Sequence, residues 1–206
     1  MVHKSSSCHT VEDLDVGSTV LAYNDTQSLS GFHCAALFVD KLLSDGKLTI
    51  TPSKNVFREL RRTGGHVNSV KALTDGLADV CALDCCVWSH LRRTKPTLLR
   101  SLRPLKGGLL GPHPVQPVVA SKRLSPELCK RITAAFVSLN QQVLAGLHVS
   151  HYAVVTDSHY APIRQQLSKS VCVKRMLSQI ADSDTFESTP SAAADADVTK
   201  DSEDRE

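Results

Sequence analysis

Apolar positions in the N-terminal half of the chain switch between two periods. Thr19-Val-Leu-Ala-Tyr23 is a continuous apolar run, the pattern of a strand covered on both faces. After it, Phe32, Ala35, Ala36, Val39, Leu42 and Leu43 recur at helical spacing. Val56 to Leu60 reads as a second strand, and Val67, Val70 and Leu73 form a helical stripe that stops at Gly76, a C-terminal cap. Ala78 to Leu83 is the third strand. Strands that alternate with helices at this spacing predict an α/β fold with mostly parallel sheets and flanking helices.

The pattern then changes. Leu91 to Pro117 is rich in proline, contains Gly107-Gly108 and carries six bases with no acid before Gly107, so it reads as a solvated connection between two packed units. Beyond it, Val118-Val-Ala120 predicts a short strand. Ser125 and Pro126 supply the N-cap and first position of a helix expected to run to Leu144. Residues 182–206 are Ser, Thr, Asp, Glu and Ala with Phe186 as the one large apolar side chain, too little to offset the entropy of ordering. The expected organisation is an irregular N-terminus at 1–12, one complete α/β lobe at 13–106, a hinge and partial second lobe at 107–180, and a disordered acidic tail at 181–206.

Composition narrows the function classes. An apolar content of 41% is enough to form a core. No run reaches the ~20 apolar residues that span a bilayer, which excludes membrane insertion. The segment Met1 to Cys8 lacks the apolar core of a secretory signal, so the chain as written is expected in the cytoplasm, or in the periplasm if its N-terminus is shortened. Seven cysteines, an odd number with Cys85 and Cys86 adjacent, predict free thiols, most of them buried. The formal charge of +3 hides an asymmetry. Residues 182–206 hold nine acids and two bases, leaving twelve acids and twenty-two bases in residues 1–181. Such a body attracts anions. Nucleic acid is excluded as a partner, because the basic run from Arg92 to Lys106 has no interleaved aromatic residues to stack on bases.

Three segments carry candidate chemistry. In Tyr23-Asn-Asp-Thr-Gln-Ser-Leu-Ser-Gly31 a strand ends in a hydroxyl-rich turn that enters a helix, where unpaired amides, the helix dipole and the Ser28 and Ser30 hydroxyls can hold an oxyanion. Serines at helix starts are also plain caps. Thr63-Gly-Gly-His66-Val-Asn-Ser69 has the same form, with His66 either a ligand donor or a surface side chain. Asp84 ends the third strand, where parallel sheets place ligand crevices, and equally suits the N-cap of the next helix. Cys85 and Cys86, with His66 and Asp84, are the elements of an alternative, a cytosolic enzyme using a thiol nucleophile. Adjacent cysteines lack the spacing of a tetrahedral metal site, and no cofactor is implied.

Together these segments form a resemblance. Ala22-Tyr-Asn-Asp, Ser28-Leu-Ser-Gly31-Phe, Thr63-Gly-Gly-His66-Val-Asn-Ser69, Asp75 to Asp84, the run Gly111-Pro-His-Pro-Val-Gln-Pro-Val-Val and Tyr160-Ala-Pro-Ile163 stand in the order found in the phosphate, phosphite and phosphonate-binding proteins of ABC transporters. The resemblance implies a periplasmic-binding fold of the second type, with one complete lobe and part of the other present here, closing by hinge motion on a small phosphorus oxyanion. It implies a clamp of Ser28, the Leu29 amide and Ser30, with Tyr23 and His66 beside it and Asp84 facing a ligand amine. Gly65 stands where the family has serine, which removes one donor. The implied partners are the anion and, for an exported form, an ABC permease. A third possibility is a regulatory interaction module that has lost ligand binding.

Overall fold

The structure, a computed structural model, describes residues 1–50, 55–108, 110–147 and 149–187. Its centre is strand β2 (Val20–Tyr23), all four of whose side chains are buried. Alternation along a strand sends them to opposite faces. Leu21 and Tyr23 join Phe32, Ala35 and Val39 in one apolar layer, while Val20 and Ala22 join Val70, Leu73 and Leu91 in another. This is why the run lacks a polar side.

Five strands form one sheet in the order β3-β2-β4-β1-β5, with β1 at Val2–His3, β3 at Glu59–Arg62, β4 at Val80–Cys81 and β5 at Leu102–Arg103. β2 runs parallel to β3 and β4, whereas β1 is antiparallel to β4 and β5. The sheet is therefore mixed where a mostly parallel one is expected. The reason is β1: Val2, only 1% exposed, enters the sheet instead of the irregular N-terminus read from residues 1–12. The second strand also lies later than its apolar residues suggest. Val56 and Phe57 are buried ahead of it, and the ladder with β2 takes up the more polar Glu59–Arg62, as suits a sheet edge.

Helix α1 (Cys34–Ser44) covers one face and α2 (His66–Thr74) with α3 (Cys85–Thr94) the other. The predicted stop at Gly76 is real. At φ +69° the residue takes the left-handed conformation, and the Leu77 and Gly76 amides donate back to the carbonyls of Ala72 (2.8 Å) and Leu73 (3.3 Å). The basic stretch after α3 is more than a linker, because Leu99, Leu102 and Leu105 are buried against the lobe.

Beyond residue 107 the described chain forms helices α4 (Pro126–Val137), α5 (Gln141–Leu147) and α6 (Ala161–Lys169). The single helix expected from Ser125 breaks at Ser138–Asn140. Val118 and Val119 are 61% and 81% exposed and form no strand, since no neighbouring strand pairs with them among the described residues. Helix α7 (Val171–Glu187) returns to the first unit and packs on α1. This helix starts inside the span expected for the partial lobe, and residues 181–187, expected as tail, continue it. Residues 188–206, the rest of that tail, lie outside the described residues. Among the described residues no helix is long and apolar enough to cross a membrane.

Candidate functional site

The first corner follows β2. Ser28 (φ −74°, ψ 121°) is the N-cap, and its Oγ accepts the Gly31 amide at 3.1 Å. The Ser28 carbonyl accepts from Phe32 (3.2 Å) and His33 (3.1 Å), which widens Leu29–His33 into a π-helical turn before α1. Among the described residues the Leu29 and Ser30 amides have no acceptor. Two donors therefore stand at the start of a helix.

The second corner is tied to the first by its backbone. Thr63 N–H donates to the Tyr23 carbonyl at 2.8 Å and Gly64 N–H to the Asn24 carbonyl at 3.0 Å. Gly64 has φ +74°, which calls for glycine. Gly65, the N-cap of α2, has no side chain to satisfy the first amides of the helix, and the backbone amides of His66, Val67 and Asn68 have no acceptor among the described residues, although the Asn68 side chain donates to the Thr63 carbonyl at 2.9 Å.

His66 joins the two corners. Its Nε2 stands 3.3 Å from Ser30 Oγ and 3.4 Å from Asn24 Nδ2, while Nδ1 is buried without a hydrogen-bond partner. Burial holds the ring below the usual histidine value, and the charge of Asp84 opposes that shift without overcoming it. The ring is thus neutral at pH 7.

Of the residues expected in the site, Ser28, Leu29, Ser30 and His66 come together. Tyr23 does not open onto the corner. It is 1% exposed, and its ring packs against Phe32 with centroids 5.0 Å apart, because the alternation of β2 turns it into the α1 layer. Asp84 takes the cap role, with Oδ1 accepting from the Cys86 (2.8 Å) and Val87 (3.3 Å) amides. Asn24 and Gly31 were not singled out by residue type, although both lie in the turn; the signal was a polar residue directly after a strand and a glycine packed against it.

From Leu29 and Ser30 a cavity of about 870 Å³ opens, bounded also by Phe38, Asp84, Trp88 and Val115. Its walls are mostly apolar.

Burial pushes the Cys34, Cys81, Cys86 and Cys172 thiols up, away from activation. Asp84, Cys85 and Cys86 place one ligand atom each within 4.8 Å of one another, a geometry open to a soft metal, yet one Asp84 oxygen is engaged as a cap. Desolvation, then the neighbouring Cys85 and Asp84, push the Cys86 thiol up, opposite to what a nucleophile needs. All seven cysteines are free as expected, but only Cys34, Cys81 and Cys172 are buried, and Cys85 and Cys86 are exposed.

No curated protein sequence matches the chain. Among solved structures, the binding-protein component of an ABC phosphonate transporter from Pseudomonas aeruginosa superposes with a TM-score of 0.60 at 19% identity, covering 91% of this chain and 68% of its own. PhnD1 from Prochlorococcus marinus, solved with methylphosphonate, gives a TM-score of 0.56 at 14% identity over 82% of this chain and 64% of its own. A Xanthomonas citri protein bound to chloride gives 0.50 at 18% identity over 86% and 65%. The chain spans about two thirds of the length of each. These likenesses show the periplasmic-binding fold. Residues 1–160 match the family model described as ABC transporter, phosphonate, periplasmic substrate-binding protein, and the chain therefore belongs to that family.

Proposed function

We propose that this chain binds a phosphonate-like oxyanion, without chemically changing it, where its two strand-to-helix corners meet. The observation that carries the reading is the 3.3 Å approach of Ser30 Oγ to His66 Nε2, which sets two helix N-termini with unpaired amides side by side. Two such termini add their positive ends, and an oxyanion placed there exchanges water for fixed N–H and O–H donors. In this proposal Ser28 shapes the turn, Leu29 and Ser30 donate, and His66 adds a ring N–H. Asp84 faces an amine on the ligand with the oxygen not used for capping. Delivery to an ABC permease from the periplasmic side belongs to the same proposal.

The test is calorimetric titration and thermal shift with phosphate, phosphite and methylphosphonate on the wild-type chain and on the Ser28→Ala, Ser30→Ala variant. A rise in melting temperature with one of these anions, abolished in the double variant, supports the reading. No rise at millimolar anion refutes it.

A further inference from the structure

We infer that the ligand carries an apolar organic substituent that fills the cavity running on from Ser30; this rests on the oxyanion reading above. Leu29 and Ser30, whose amides are unpaired, line the cavity, so a phosphonate held by them directs its carbon substituent into it. The space beyond is far larger than the headgroup. At ~30 Å³ per water, 870 Å³ would take about thirty waters. Phe38 of α1, Leu83 two residues beyond β4, Trp88 of α3 and Val115 of the segment after Gly107 make its walls apolar. Among the described lining residues none is Lys or Arg, and Asp84 is the one acidic side chain. A second anionic group, as in a nucleotide or bisphosphonate, would meet no Lys or Arg side chain there, His113 being the one basic side chain on the wall. An alkyl or aryl group lying against the apolar walls gains by leaving water.

The affinity of a chain-length series reads this directly. Each methylene transferred from water is worth ~0.8 kcal/mol, about fourfold in Kd. The wild-type chain is titrated calorimetrically with methyl-, butyl-, hexyl- and phenylphosphonate and with hexanol. The five extra methylenes of hexylphosphonate would give about a thousandfold if fully transferred, and half that transfer energy, roughly thirtyfold tighter binding than methylphosphonate, is the least expected. Val115→Asp, at a rim position 74% exposed, should weaken hexylphosphonate by a larger factor than methylphosphonate, and equal weakening of the two would count against the apolar substituent. Equal affinity across the series, with methylphosphonate bound, overturns the apolar substituent and leaves the anion site standing. Hexanol binding as tightly as hexylphosphonate overturns it too, because the cavity would then act without the corners. If no phosphonate binds at all, the oxyanion reading itself is what fails.

Discussion

Asn24 lies directly against Gly31: a Cβ built on residue 31 would stand 1.8 Å from Asn24 Oδ1 and 3.2 Å from His66 Cε1. The glycine is therefore needed for the space it leaves free. Without it the Asn24 side chain could not sit between the two corners and meet the His66 ring.

Gly31→Ala follows from this. Asn24 must change rotamer and give up its contact with His66, and the expected loss is about 1–3 kcal/mol, together with weaker anion binding. Adding Asn24→Ala removes the clash. Denaturant titration of the single and double variants should show the double variant to be the more stable, and the reverse order would refute the packing account.

The Ser30–His66 contact is expected to be energetically real before any ligand binds. A double-mutant cycle with Ser30→Ala and His66→Ala should give a coupling of about 0.5–1.5 kcal/mol in urea unfolding without ligand. Simple additivity would mean that the two corners are merely adjacent.

Asp40 secures α7 to α1. Its Oδ1 accepts the Cys172 amide at 3.0 Å and its Oδ2 the Ser170 hydroxyl, while Ser170 Oγ in turn accepts the Val173 amide at 2.9 Å. Asp40→Ala should cost about 1–3 kcal/mol, because it leaves the Cys172 amide and the Ser170 hydroxyl without their acceptor. Burial and then Asp40 push the Cys172 thiol up to about 12, so it should resist alkylation in the wild type and label faster in the variant. Equal labelling rates would disconnect Asp40 from the docking of α7.

Thiol chemistry also separates a binding protein from an enzyme. Exposed Cys85 and Cys86 should label first with iodoacetamide. Cys34, pushed up to about 11 by burial and then Asp84, and Cys81, raised by burial, should lag behind. The Cys34, Cys81 and Cys86 thiols, all pushed up, should show no reactivity midpoint below the ordinary ~8.5. A low midpoint at Cys86 would favour the catalytic alternative.

Stability should fall as the pH drops below 6.5. Burial lowers both His33 and His66 from that value, so between 6.5 and their folded values the unfolded chain binds more protons than the folded one. The Met1 ammonium, lowered from 8.0 chiefly by burial, acts with the same sign at higher pH. The carboxylates of Glu12, Asp13 and Asp25, lowered mainly by hydrogen bonds from backbone amides, contribute only in the acid range. His33→Gln should flatten the melting-temperature profile between pH 7 and about 5; an unchanged slope would argue against its burial.

What the sequence determined by itself was local. The α/β alternation, the cap at Gly76, the Ser125-Pro126 helix start and both serine- and glycine-bearing corners follow from signals contained within a turn or two of chain, where periodicity and capping chemistry act. Tertiary structure decided what depended on pairing. Val2 became a central strand by hydrogen-bonding to β4 and β5, and Val118-Val119 stayed outside the sheet for want of a neighbouring strand. Tyr23 turned inward because a strand buried on both faces carries no polar residue to mark its sides. Ser30 and His66, 36 residues apart in sequence, met only because β2 and β3 lie side by side and end together at Tyr23 and Arg62. No local pattern encodes that distance, which is set by the register of the two strands.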